Sequence, residues 1–377
     1  MNAKEILADL VGINSVSARP NRQVIDYAAA LVERLRLHPR LHTYKDARGV
    51  EKTQLIALSP NATDNGEAIE LALVGHTDTV PFDPAWTDAL KLTERDARLY
   101  GRGACDTKGF IAAALTALSH APLADLRRPL ALILTADEEV GCIGAKHLVE
   151  TKALGSVRYA VVGEPTRLQP MRAGKGYCLA EVTVRGREGH SAYPALGASA
   201  ILRAARLVTR VEAVAEELKA DEHRMFDPPY TTVNVGLING GTAKNIIAGE
   251  CRFTLEWRPV PGQSARRFVE LVEREMELLR AEDADFACTL DVLRLDESVE
   301  TPAESALVRA LEAASGLPAG AVAFGTEAPE MRALGAEAVV FGPGDIRVAH
   351  RTGEYVPIEE LERCAAILGQ MIERFCA

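Results

Sequence analysis

Three short apolar runs each stop at a polar cluster: Ile69 to Val74 before Gly75-His76-Thr77-Asp78, Leu130 to Leu134 before Asp137-Glu138-Glu139, and Tyr159 to Val162 before Gly163-Glu164-Pro165. Runs of this length read as strands buried on both faces. Helical patterns lie between them, at Lys108 to Ser119 and Ala145 to Thr151. Two amphipathic segments come first, Lys4 to Asn14 and Arg22 to Leu35, with Asn21 placed as an N-cap of the second. Alternating strand and helix predicts an open α/β sheet, in which ligands sit at the carboxyl ends of the strands. All three clusters fall there.

From about Tyr177 the texture changes. Leu179, Glu181, Thr183 and Arg185 alternate with Ala180, Val182 and Val184, the period of a strand with one solvated face. A long amphipathic helix from Ala198, strands at Thr232 to Leu237 and Cys251 to Trp257, a helix from Ala265 and a strand at Phe286 to Val292 complete the order of an α+β sandwich. The stretch Asp296 to Pro302 reads as a return linker. An apolar strand at Ala338 to Phe341 and a last helix from Ile358 to Phe375 then resume the first texture. A chain of 377 residues exceeds what one core usually serves. The expectation is a main domain over 1–175 and 293–377, with a second domain inserted at 176–292.

Hydrophobic residues at 47% and charged residues at 25% are the balance of a globular protein. A net charge of -10 argues against nucleic-acid or anionic-membrane partners, which reward clustered Lys and Arg, and favours a small molecule. The seven cysteines are odd in number and form no C-x-x-C pair, so they read as reduced, packed thiols. The N-terminus lacks a signal-peptide pattern and no apolar run reaches membrane length, which makes the cytoplasm the expected compartment.

Each polar cluster alone has an ordinary reading. His76 and Asp78 either cap a turn or supply a metal-binding imidazole with a carboxylate behind it. Asp106, between glycines before a helix, is an N-cap or a ligand, and the residue order around it excludes a P-loop. Asp137-Glu138-Glu139 is a solvated loop, or a group of carboxylates whose repulsion a cation or a proton relieves. Glu164 and His350 would each be uninformative in isolation. Together, two histidines and several carboxylates near the strand ends of one α/β domain supply a nitrogen and oxygen donor set suited to zinc, cobalt or manganese.

Gly75-His-Thr-Asp-Thr-Val-Pro81, Tyr100-Gly-Arg-Gly-Ala-Cys-Asp-Thr-Lys-Gly109, Ala136-Asp-Glu-Glu-Val-Gly141, Gly163-Glu-Pro-Thr166, Gly189-His-Ser-Ala-Tyr-Pro194, Gly240-Gly-Thr-Ala-Lys-Asn245, Trp257-Arg-Pro-Val-Pro-Gly262, Thr326-Glu-Ala-Pro329 and Gly342-Pro-Gly344 with His350 run nearly end to end. In these stretches the chain resembles the acetylornithine deacetylase and succinyl-diaminopimelate desuccinylase family, related to aminoacylases and di-zinc carboxypeptidases. The resemblance implies a zinc-peptidase-like catalytic domain, a mixed central sheet flanked by helices, and an inserted α+β sandwich that serves as lid and dimerisation domain. It implies two divalent ions, zinc or cobalt: His76, Asp106 and Glu164 on one, and Asp106, Glu139 and His350 on the other, with Asp106 bridging. Glu138 would be the general base, Asp78 would orient His76, and His190 would reach across a homodimer to the oxyanion. Asn245 and Arg258 match positions near the substrate. Thr326-Glu327-Ala-Pro resembles the deacetylase branch, which implies N2-acetyl-L-ornithine as substrate and gives Glu327 the distal ammonium. Arg351-Thr-Gly-Glu354 departs from the usual Gln-Pro-Asp-Glu, so a desuccinylase, an N-acetylcitrulline deacetylase, a broader N-acyl amino acid deacylase or dipeptidase, and a non-catalytic binding module remain as alternatives.

Overall fold

The computed structural model describes residues 1–62 and 68–377. The chain divides into two compact units: Met1–Arg172 with Thr301–Gly320 and Thr326–Ala377, and Ala173–Glu300 with Ala321–Gly325.

The larger unit is built on a mixed sheet whose strands run in the order His38–Lys45, Glu51–Leu58, Leu130–Thr135, Ile69–His76, Val157–Val162 and Glu337–Val340. The last four are parallel neighbours, with His76 beside Thr135, Val74 beside Val162, and Val162 beside Val340. Their carboxyl ends therefore open on one edge. The first two strands form an antiparallel hairpin, and Leu55 pairs with Leu134 to join it to the parallel set. The sequence pattern did not disclose this hairpin. Its outer strand, His-Pro-Arg-Leu-His-Thr-Tyr-Lys, is half exposed along its length, and an edge strand of that kind carries little apolar signal.

Helix Lys108–His120 is buried from Lys108 to Leu118, because its run of alanines lets helices Ala3–Gly12 and Ile358–Cys376 pack against it. Gly163 is demanded by the same packing, since a Cβ there would lie 2.1 Å from the Phe110 ring. Asn21 stands at the N-cap of helix Arg22–Arg34, but its side chain makes no cap hydrogen bond. Its amide instead donates to the Thr53 carbonyl at 2.7 Å and accepts from the Thr53 N–H at 2.8 Å, tying the segment before the helix to the hairpin.

The smaller unit has a four-stranded antiparallel sheet in the order Thr232–Gly240, Glu250–Arg258, Tyr177–Arg185, Ala287–Asp296. Ala180, Val182 and Val184 face its core, together with Leu207 and Val211 of helix Ala200–Leu218 and Phe268 and Val272 of helix Arg266–Glu282. The last strand runs to Asp296, beyond the expected Val292, because a register shift after Val292 lets Arg294 resume pairing with Leu179. Among the described residues, no helix is long and apolar enough to cross a membrane.

Candidate metal centre

His76 is the last residue of its strand, and the Asp137-Glu138-Glu139, Gly163-Glu164 and Phe341-to-His350 segments leave the neighbouring parallel strands. Asp106 arrives from the loop before helix Lys108–His120. The helix is preceded by Thr107, so Asp106 is not its N-cap. One Asp106 oxygen lies 3.0 Å from His76 Nε2 and the other 3.1 Å from His350 Nε2. His350 Nε2 is also 3.0 Å from Glu139 Oε2, and Glu164 Oε1 is 4.0 Å from His76 Nε2. The structure thus gathers His76, Asp106 and Glu164 into one group, and Asp106, Glu139 and His350 into a second, with donor atoms within 4.8 Å of one another in each.

Asp78 stands behind this array. His76 Nδ1 donates to the Asp78 main-chain oxygen at 3.0 Å, which turns Nε2 toward Asp106. The Asp78 carboxylate accepts the Ser17 hydroxyl at 2.7 Å and the main-chain N–H groups of Glu138 and Glu139 at 3.1 and 3.3 Å. One side chain therefore links the loop of His76 to the loop of both glutamates. Asp137 turns the other way, into an ion pair with buried Lys52 at 2.8 Å and a hydrogen bond from Tyr44 at 2.9 Å. The triple carboxylate is neither a solvated loop nor wholly compensated by a ligand, because its first member has its own protein cation.

Electrostatics report the crowding. Burial, reinforced by Glu139 and Asp106 against the pull of His76, pushes the Glu138 carboxyl well up. Burial and Asp106 raise the Glu139 carboxyl and push that of Glu164 well up. Asp106 itself is held below the usual carboxylate range, since hydrogen bonds from His350 and His76 outweigh its burial. Hydrogen bonds to Asp106 and Glu139 push His350 up to about 10. Two divalent cations would relieve this pattern without any proton: four carboxylates would balance them while both imidazoles stayed neutral. Glu139 Oε1, buried with no hydrogen-bond partner, fits the same reading.

Glu327 belongs to this unit. It precedes helix Ala328–Ala333, is 1% exposed, and has one oxygen without a hydrogen-bond partner. Burial pushes its carboxyl up to about 7 against the pull of His76 and Thr135.

His190, Asn245 and Arg258 lie in the smaller unit. His190 is exposed, and its Nδ1 accepts the Ala192 N–H at 3.1 Å, which puts the ring proton on Nε2. Asn245 is its neighbour, with Ser191 N–H donating to the Asn245 carbonyl at 3.1 Å. Arg258 spends Nε on Glu256 at 2.8 Å and Nη1 on the Ala323 carbonyl at 2.9 Å, with its guanidinium 4.4 Å from the Tyr177 ring centre.

At the strand ends of this α/β fold, two histidines and at least four carboxylates form two donor groups that could hold metal ions. A model of Peptidase family M20/M25/M40 matches residues 72–374, and the chain belongs to that family. It is 56% identical to an acetylornithine deacetylase of Myxococcus xanthus over 98% of this chain and 96% of the relative. It is 34% identical to an acetylornithine deacetylase of Proteus mirabilis over 99% and 96%. Among solved structures, a tripeptidase from Staphylococcus aureus superposes with a TM-score of 0.77 at 22% identity, covering 99% of this chain and 98% of that one. A metallo-carboxypeptidase of the same family from Sulfolobus solfataricus gives 0.71 at 19% identity, covering 100% and 99%.

Proposed function

We propose that the protein hydrolyses N2-acetyl-L-ornithine to L-ornithine and acetate with two divalent ions. The observation that carries the reading is Asp106, whose two oxygens face different histidines at 3.0 and 3.1 Å and so join both donor groups. His76, Asp106 and Glu164 would hold one ion, and Asp106, Glu139 and His350 the other. The mixed imidazole and carboxylate set favours zinc, with cobalt as a substitute. Bound ions would polarise the acyl carbonyl and acidify the attacking water.

Glu138 takes the proton of that water and passes it to the leaving nitrogen, a role suited to a carboxylate whose basicity burial has raised. Asp78 fixes the His76 tautomer and the main chain of Glu138. His190, with its proton on Nε2, would donate to the oxyanion from the partner of a homodimer, while Asn245 and Arg258 would serve the substrate carboxylate. The dimer is supported by apolar side chains left exposed on the smaller unit, among them Leu202 at 66%, Leu237 at 64% and Ile238 at 52%. Sedimentation equilibrium at assay concentration should give twice the chain mass, and a monomer mass would remove the role of His190. Seven buried cysteines, none of them in a disulfide, support a reducing cytoplasm.

The substrate rests on the two deacetylase relatives and on Glu327, whose unpartnered oxygen we assign to the distal ammonium. Zinc- and cobalt-loaded protein should prefer N-acetylornithine to N-acetylcitrulline, N-acetylmethionine and N-succinyl-diaminopimelate. Glu327→Gln should lower kcat/KM on N-acetylornithine by about ten- to a hundredfold, the worth of a charged hydrogen bond, and leave N-acetylmethionine unchanged. Equal losses on both would dismiss the ammonium assignment, and a preference for the succinyl compound would dismiss the deacetylase branch.

A further inference from the structure

Two metal-donor loops meet at a side chain that none of the roles above uses. Glu354 is fully buried, four residues beyond His350. Its Oε1 accepts the main-chain N–H groups of Cys105 at 2.9 Å and Asp106 at 3.0 Å. Its Oε2 accepts Arg102 Nη1 at 2.6 Å and the Gly103 N–H at 3.1 Å. The Glu354 carbonyl accepts the Gly101 N–H at 3.1 Å as well, so main chain and side chain grip the same loop. A carboxylate has about four acceptor positions, and all are filled here.

His350 needs such an anchor. It is the least buried of the five donors, with its side chain 52% exposed, and its φ of 59° lies in the left-handed region, which few non-glycine residues adopt although histidine does so more often than most. Gly353, with φ of +80°, makes a further turn between it and Glu354. Besides the imidazole's own contacts with Asp106 and Glu139, its loop is tied through Glu354 to the main-chain nitrogen of Asp106.

From this geometry we infer that Glu354 is the positioning residue of the metal pair: by fastening the His350 loop to the Asp106 loop, it sets the spacing between the bridging carboxylate and the histidine of the second donor group. Arg102, buried with it, donates to Glu354 at 2.6 Å and supplies the opposing charge. The inference rests on the metal-pair reading given above. Glutamine in place of Glu354 keeps the shape but turns an amide NH2 toward donors, so two of the bonds to the loop are lost whichever way the amide is set.

The test is a titration of chelator-stripped protein with cobalt(II) chloride, read by calorimetry and by visible absorption. The parent should take up two equivalents. Glu354→Gln should bind the first ion nearly as the parent does and the second about ten- to a hundredfold more weakly, the usual cost of losing a partner that orients a ligand, with an altered absorption band for the second equivalent. Arg102→Lys keeps the charge and changes the geometry of the fork, so it gives a smaller loss at the same ion. It carries the test if Glu354→Gln does not fold. Parent-like binding of the second ion in the folded variants, or equal losses at both ions, would overturn the assignment. A parent that takes up fewer than two equivalents would remove the metal-pair reading, and this assignment with it.

Discussion

Glu138→Gln is expected to lower kcat on N-acetylornithine by roughly 10²- to 10⁴-fold, the range over which a positioned general base contributes, while metal content and KM stay near the parent values. The main chain of Glu138 is fixed independently of its carboxylate: its N–H donates to Asp78 at 3.1 Å, and its carbonyl accepts Gly141 and Cys142 at 2.9 and 3.0 Å. Glutamine therefore occupies the same place with the same volume and removes only the proton acceptor. Steady-state kinetics beside metal analysis would check this. A loss below tenfold with metal retained would make another group the base, and a loss of metal would make Glu138 a ligand.

Asp106→Asn should do more, and differently. The asparagine keeps one acceptor oxygen and turns an NH2 donor toward one of the two histidines that Asp106 now faces at 3.0 and 3.1 Å. Both donor groups are damaged at once, so the purified protein should lose bound metal and kcat/KM should fall on the order of 10³-fold or more, several kcal/mol at about 1.4 per tenfold. Chelation of the parent should reproduce the loss, and added zinc or cobalt should restore the parent but not the variant. A variant that kept two ions and most of its activity would show that Asp106 does not bridge.

The strand ends were legible because the physics there is local. An apolar run that stops at a carboxylate or an imidazole announces both a buried strand and the edge from which it delivers its side chains, and His76, Glu139 and Glu164 sit where that pattern put them, within one residue group or the other. The hairpin of His38–Lys45 and Glu51–Leu58 escaped because its outer strand trades apolar signal for the polarity that an open edge needs. Asn21 looked like a cap because asparagine before a helix usually is one. Its hydrogen bonds go instead to Thr53, a partner that only the folded sheet brings near. Lys52 and Glu354 were illegible for the same reason. A lone lysine in a strand and a glutamate in an exposed-looking Arg-Thr-Gly-Glu loop gain meaning only from Asp137 and from the 102–106 backbone, far away in the chain.

The order of the sheet also carries a consequence in time. The donor residues are spread from His76 to His350, and strand Glu337–Val340, which leads to the last of them, pairs with Val157–Val162 across the whole of the smaller unit. During synthesis the first five strands of the larger sheet emerge long before their final parallel neighbour does. A nascent chain that has reached residue 336 therefore lacks the last parallel strand and one of the five donor residues, His350, while the smaller unit, with a sheet and core drawn from 177–296, already has all its own parts. On the proposed metal pair, hydrolysis therefore waits until the segment around His350 has been made, and a truncation that removes this segment should abolish activity while leaving the smaller unit's sheet intact.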